Sequence, residues 1–308
     1  MKSVMVLGGT GMLGSMVADE LARRPDMRVS ATYRAPGQNP QYSSVPGVTW
    51  IPFDAETSRL DEALPKSGHF EWIINAIGIT KPLIRDDNQQ QIERAIRINA
   101  LLPHEIARFA ETRGSRVIQI ATDCVYSGAE GSYLETAIHD SLDVYGKTKS
   151  LGECYSPNVA HLRCSIIGPE PKDFKFLIAW FRSQPAGGSV NGFVNHQWNG
   201  ITTLHFARIC AGIIETGIPL PHLQHIVPEG VISKAEMLHE FAAAYRRMDV
   251  RINDVEAPKV IDRTLSTADP GLNRELWRAA GYQKSPTVAE MIAEVANYPY
   301  RFCPQEVA

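Results

Sequence analysis

The stretch Val4-Met5-Val6-Leu7-Gly8-Gly9-Thr10-Gly11-Met12-Leu13-Gly14 decides the fold. Its four leading apolar residues do not alternate with polar ones, which predicts a strand covered on both faces, as inside a parallel sheet. Glycines follow at once. Gly8, Gly11 and Gly14 fit a Gly-x-x-Gly-x-x-Gly spacing, and Gly9, Gly11 and Gly14 fit Gly-x-Gly-x-x-Gly. Met12, Leu13, Met16, Val17 and Leu21 then recur at helical spacing until Pro25 stops the run. A strand that turns directly into a helix aims free N–H groups and the positive end of the helix dipole at a diphosphate, and glycine lets the backbone approach it. A glycine pattern alone says little. Between an apolar strand and an amphipathic helix it reads as a dinucleotide site rather than a plain tight turn, with Gly8, Thr10, Gly11, Met12, Leu13 and Gly14 as contacts.

Outward from this stretch the same rhythm repeats. Strands are expected at residues 28–33, near 48–53, at 72–74 running into Asn75-Ala76-Ile77-Gly78, at 117–121 and at 161–167. Ile92, Ala95, Ile96, Leu102, Ile106 and Phe109 share a face of a helical stretch that Asp86 or Asp87 would cap and Pro103 would kink or divide. Strands alternating with helices over ~165 residues indicate an α/β chain with a doubly wound parallel (Rossmann) sheet. Beyond Gly168 the rhythm changes. An apolar helix is expected at 174–182 and a strongly periodic one at 203–216. Ser233-Lys234-Ala235-Glu236 reads as a capping box, and Ser285-Pro286 as the opening of a last helix. The expected organisation is a dinucleotide-binding domain at 1–168, to which the 203–216 helix returns, and a smaller mixed α/β substrate region at 169–308.

Composition narrows the classes. Of 308 residues, 44% are hydrophobic and 21% charged, as in ordinary soluble globular proteins. The net charge of −3 comes without a basic tract, so no nucleic-acid partner is expected. No apolar run approaches the ~20 residues of a membrane span. Cys124, Cys154, Cys164, Cys210 and Cys303 are odd in number and lack metal-type pairing. Reduced thiols in a cytoplasmic protein without a metal site are the expectation. A homodimer is left open.

Four places beyond the glycines carry chemistry. An NAD enzyme usually ends its second strand with a carboxylate for the ribose hydroxyls. Here Ser30-Ala31-Thr32-Tyr33-Arg34 has no acid, and Arg34, beside Tyr33, suits the 2′-phosphate of NADP(H). The alternative is a solvated surface arginine. Asp54 would meet the adenine amine, and Ala76, Ile77 and Gly78 would line the cofactor, unless these residues merely cap or turn the chain. In Leu142-Asp143-Val144-Tyr145-Gly146-Lys147-Thr148-Lys149, Tyr145 and Lys149 are one helical turn apart. The ammonium is expected to lower the pKa of the phenol, and such a pair can pass a proton to a carbonyl oxygen. An exposed helical pair is the alternative.

With these pieces in place, the chain resembles the extended short-chain dehydrogenase/reductases that act on nucleotide-activated sugars. The glycine loop, Asn75-Ala76-Ile77-Gly78, Asn99-Ala100-Leu101-Leu102-Pro103, Ala121-Thr122-Asp123-Cys124-Val125-Tyr126, Tyr145-Gly146-Lys147-Thr148-Lys149 and Leu162-Arg163-Cys164-Ser165 occur in family order over about the first 170 residues. The remainder is similar, more loosely, to the dTDP-4-dehydrorhamnose reductase type. The resemblance implies an NADP(H)-dependent reductase of a nucleotide-linked keto-deoxysugar, with Thr122 and Tyr145 on the substrate oxygen. It puts Lys149 on Tyr145 and the nicotinamide ribose, and Asn99 among the cofactor residues.

Departures from the family pattern bear on the substrate. The 4,6-dehydratases look like Thr-Asp-Glu after the fifth strand, and Cys124 stands here in place of that glutamate. Cys124 and Tyr126 also replace the two aromatics of the dehydrorhamnose reductases. Epimerase–reductases similar to GDP-fucose synthase carry a cysteine at this point, so an epimerase using Cys124 as a low-pKa thiol is an alternative. A buried, inert thiol is the other reading. The histidine of those enzymes is missing, because Glu170 follows Gly168-Pro169; Glu170 or His196 would substitute only if the fold brought it close. Trp198 would stack on a sugar or base ring, with His196 nearby, and Arg263 would meet a diphosphate; packing and a rim charge are the alternatives. Outside catalysis, the regulatory subunit of methionine adenosyltransferase resembles these reductases, so an NADP-binding regulatory subunit is a third reading.

Overall fold

β1 (Lys2–Leu7) sends Val4 and Val6 into one hydrophobic core and Met5 and Leu7 into another, all four fully buried. Each such side chain contributes about 1.5–3 kcal/mol by leaving water, which is why an unalternating apolar run settles in the centre of the sheet. The computed structural model describes residues 1–34, 45–64, 69–172 and 174–302; Cys303 lies outside them.

Beside β1 stand β2 (Met27–Tyr33), β3 (Val48–Pro52), β4 (Trp72–Asn75), β5 (Arg116–Ala121) and β6 (Val159–Arg163). Next in the chain come four strands outside this sheet: β7 (Ile166–Ile167), β8 (Ser189–Phe193), β9 (His196–Trp198) and β10 (Ile201–Thr202). β11 (Leu223–His225) then joins the edge at β6. The result is a seven-stranded parallel sheet in the order β11-β6-β5-β4-β1-β2-β3. Strand order reverses between β1 and β4, where Leu7 pairs with Asn75. The turns leaving these two strands therefore lie side by side, at the position where such sheets bind ligands.

α1 (Met12–Leu21) covers one face of the sheet; α2 (Leu60–Ala63) and α4 (Leu102–Arg113) add apolar residues to the core on the other. α3 (Gln89–Ala95) leads towards α4, and α5 (Val144–Leu151) and α6 (Leu177–Arg182) follow. α7 (Thr203–Thr216) lies along α1 and also against α9 (Pro270–Ala279). α8 (Lys234–Ala244) packs on α10 (Val288–Asn297) and on the β8–β13 pair, where β13 spans Arg251–Val255. β12 (Ile232–Ser233), β9 and β14 (Ile261–Asp262) form a three-stranded sheet. Among the described residues no helix is long and apolar enough to cross a membrane.

Several local expectations shift, each for a visible reason. Asn88, not Asp86 or Asp87, caps α3 by accepting from Gln91 N–H, while Asp86 accepts from Val144 N–H. The helix before Pro103 widens into a π-helical turn over Ile96–Leu101, since proline supplies no N–H to continue the regular ladder. The 161–167 strand splits, because the Ser165 carbonyl accepts from Ile201 N–H and β7 pairs with β10 instead. Phe174 has φ +45°, a left-handed conformation that cannot begin a helix, and α6 starts at Leu177. The Ser233–Glu236 capping box forms as expected, whereas the last helix opens at a second box, Thr287 with Glu290, two residues beyond Ser285.

Candidate active site

Two adjoining cavities lie at the C-terminal ends of the central strands, one of about 190 Å³ and one of about 700 Å³. Thr10, Gly11, Ala76, Ile77 and Gly78 belong to the walls of both. The glycine turn is pinned to β2, because Gly8 N–H donates to Thr32 Oγ1 at 2.8 Å and Gly9 N–H to Thr32 O at 2.9 Å. Gly8 has φ +84°, and a Cβ there would come 2.9 Å from Ile77 Cγ1. Gly14 lines neither cavity; a Cβ on it would overlap the carbonyl oxygen of Gly8, so its bareness is what lets α1 close on the turn. Gly11 precedes α1 without a side-chain cap, and Met12 and Leu13, the first turn, form part of the larger wall. A helix start left uncapped beside a cavity is a fitting place for a diphosphate.

The smaller cavity is lined by Gly8, Tyr33, Arg34 and Asp54. Arg34 is half-exposed and stands 4.0 Å from Glu56, which also pairs with Arg94 at 2.6 Å. Asp54 makes a turn, its Oδ1 accepting from Glu56 N–H at 2.9 Å, while still facing the cavity. Arg94 and Glu56 were not anticipated, since no local motif marks them. Asn99 is in neither wall. Its amide accepts from Ile79 N–H at 2.8 Å and donates to Ile79 O at 2.9 Å, which holds the loop after β4 from behind.

The larger cavity brings together Thr122, Cys124, Tyr145, Lys149 and Trp198. Asp143 starts α5 by accepting from Gly146 N–H, and a Cβ on Gly146 would come 2.6 Å from the carbonyl oxygen of Cys124. That close approach presses the helix against the turn after β5, where the Tyr145 phenol meets the Thr122 side chain. Burial raises the Tyr145 pKa, with Cys124, Asp123 and Asp143 adding to the effect and the Thr122 hydrogen bond opposing it. This corrects the expected lowering by Lys149. The Lys149 ammonium donates to Ile120 O at 3.2 Å, and burial has itself brought its pKa down to about 8, with Glu153 opposing and Arg163 adding. At Cys124 the inert reading is favoured over the low-pKa alternative. Burial, with the Asp123 carboxylate, pushes its thiol up to about 12, so it is a neutral thiol rather than a ready thiolate.

Trp198 is fixed by donating Nε1–H to Ser165 Oγ at 2.8 Å. His196 lies elsewhere, half-buried with its ring on Lys259 O at 2.8 Å, and lines neither cavity. Arg263 also lines neither; its guanidinium donates to the carbonyls of Tyr126 and Ser127 and holds the segment after β5 in place. Glu170 is in the larger wall, but its carboxylate accepts from the N–H groups of Lys175 and Phe176. Neither His196 nor Glu170 therefore supplies a free partner for Cys124. Lys234, read only as part of a capping box, proves to be a wall residue, its ammonium 5.1 Å over the Trp198 ring. Behind the site the fully buried Arg163 binds Glu153 at 2.5 Å, His139 at 3.0 Å, His225 at 3.1 Å and the Tyr126 hydroxyl.

The chain is 25% identical to methionine adenosyltransferase 2 subunit beta of Danio rerio over 259 residues, which are 79% of this chain and 74% of that protein. dTDP-4-dehydrorhamnose reductase of Bacillus anthracis, solved in complex with NADP, superposes with a TM-score of 0.67 at 17% identity, over 96% of this chain and 99% of that one. A variant of UDP-glucuronic acid 4-epimerase from Bacillus cereus, in complex with UDP-4-deoxy-4-fluoro-glucuronic acid and NAD, does so with a TM-score of 0.70 at 16% identity, over 96% and 98%. At such identities the two structures share the fold. The sequence itself goes further, since the family model of the RmlD substrate binding domain matches residues 1–298, and the chain belongs to that family.

Proposed function

We propose that this protein is an NADPH-dependent reductase of a nucleotide-linked keto-sugar. The observation that carries the reading is the meeting of Thr122, Tyr145 and Lys149 in the wall of one large cavity that also includes the uncapped start of α1. Gly8, Thr10, Gly11, Met12 and Leu13 would hold the dinucleotide's phosphates, Arg34 its 2′-phosphate, and Asp54 and Ala76 to Gly78 its adenosine side. When bound, the dinucleotide supplies hydride to the keto carbon. Tyr145, kept protonated by its buried setting and aligned by Thr122, gives its proton to the oxygen of that carbon. Lys149, anchored on Ile120 O, places an ammonium near the negative charge that develops there, where a preorganised charge lowers the barrier most.

The likeness to the Danio rerio subunit favours a second reading, in which the chain binds a partner and turns nothing over. One experiment separates the two. Purified protein is given NADPH and a panel of dTDP-, UDP- and GDP-linked keto-sugars, and NADPH absorbance is followed. Consumption with one member supports the reductase; NADPH binding without consumption across the panel supports the partner-binding reading.

A further inference from the structure

We propose that Lys234, held over the face of Trp198, is a recognition site for a carboxylate on the sugar ring, so that the preferred substrate is an acidic nucleotide-sugar. The inference rests on the nucleotide-sugar reading of the cavity and deepens it.

Lys234 opens α8, from the C-terminal half of the chain, and reaches the same cavity that Tyr145 and Lys149 reach from the N-terminal half. Its ammonium sits 5.1 Å from the centroid of the Trp198 ring, and that ring is fixed in turn by its bond to Ser165. Among the described residues Lys234 makes no hydrogen bond and no ion pair. An aromatic face attracts a cation but offers it no acceptor, so all three N–H donors remain for a ligand. Burial lowers its pKa to about 8, Asp123 and Cys124 resisting and Arg263 adding, so it stays mostly charged at neutral pH. Lys234 is half-buried, and an ammonium drawn partly out of water with its donors open to the cavity gains from a bound anion.

The place of Lys234 selects which anion. It is within electrostatic reach of Asp123 and Cys124, the two residues that follow Thr122. The proposed reaction puts the keto oxygen at Thr122 and Tyr145, so Lys234 faces the part of the ring that bears this oxygen and its neighbouring substituents. In a nucleotide-sugar the diphosphate hangs from the anomeric carbon, across the ring from there. Lys172, on the segment after Gly168, lines both cavities, whereas Lys234 lines the larger one alone. A carboxylate beside the reacting carbon is the anion that fits Lys234. The apolar indole face next to it suits the ring's C–H surface.

The test is calorimetric titration of the NADP-loaded protein with matched pairs: UDP-glucose and UDP-glucuronate, dTDP-glucose and dTDP-glucuronate, GDP-mannose and GDP-mannuronate. For whichever nucleotide binds, the uronate is expected to bind tighter by roughly tenfold or more, as a charge-assisted contact implies. That ratio should fall to near one in Lys234→Met and persist in Lys234→Arg, with NADP affinity and melting temperature reporting that each variant is folded. Equal affinities within the pair, or a ratio that survives Lys234→Met, would overturn the inference and leave the reductase reading standing. Binding of no member of any pair would count against both.

Discussion

Lys149 and Lys234 enter one cavity from opposite halves of the chain, and burial brings both ammoniums down to about 8. What separates them is how each is tied. Lys149 donates to the backbone at Ile120 and stands one turn from Tyr145, with Glu153 and Arg163 shaping its charge. Lys234 rests on an indole ring and donates to nothing among the described residues. A lysine bonded to its own backbone is a fixed charge that can act on a transition state. A lysine left with open donors is a binding group. On the proposed function the N-terminal wall would serve reaction and the C-terminal wall selection.

The strongest way to break this contrast is at Tyr145. Tyr145→Phe keeps the ring and removes the proton donor, so single-turnover NADPH oxidation should slow by ~10² to 10⁴ while NADPH affinity holds. Full activity in that variant would remove the reactive wall altogether. Lys149→Met should slow the same step by about 10² and weaken NADPH binding as well, whereas Lys234→Met should leave fluorescence-titrated NADPH affinity where it was. At saturating substrate, where loss of the Lys234 charge no longer limits binding, the unmodified protein should also lose rate as pH rises through about 8, where Lys149 gives up its proton, and Lys149→Met should lack that fall.

Next in size is the cofactor's far end. Losing the charge-assisted contact of Arg34 should cost NADPH about 1.5–3 kcal/mol of binding and NADH almost nothing. Equal affinities for the two cofactors in the unmodified protein would refute the role given to Arg34. The smallest effect is expected at Cys124. With its thiol at about 12, Cys124→Ser should change turnover by no more than about twofold. Substrate recovered from deuterated water should carry no enzyme-dependent label on carbons beside the keto group. Label that disappears in Cys124→Ser would instead make Cys124 a proton carrier.

What could be read from the chain followed from how local each feature is. The unalternating Val4–Leu7 run, the glycine turn and the one-turn spacing of Tyr145 and Lys149 are set by neighbours in sequence, and they were legible. Lys234 was not, because its value comes from Trp198, in a strand that pairs with the residues just before α8. Arg94 and Glu56 were hidden for the same reason, meeting in the wall of the smaller cavity from different segments. β11 escaped because Leu223-Gln224-His225 has no apolar run; it is a strand only because β6 offers an edge. His196 and Arg263 had promising side chains, yet backbone carbonyls had already claimed them. The phenol pKa went against expectation because dryness outweighed charge at this site, and the same dryness favours the inert reading of the thiol.

Arg163 has a consequence for how the molecule opens. Its one guanidinium joins Glu153 beyond α5, Tyr126 after β5, His139 before α5 and His225 in β11. None of these segments can fray alone without leaving a donor of this buried guanidinium unpaired, and loss of Glu153 would strand its charge. The reactive wall and the edge strand given by the C-terminal half should therefore breathe as one cooperative unit. In hydrogen exchange, the amides of 122–126, of Val144–Leu151 and of Leu223–His225 would share a common opening free energy. If the two halves divide reaction from selection as proposed, both would still be unlocked with the same key.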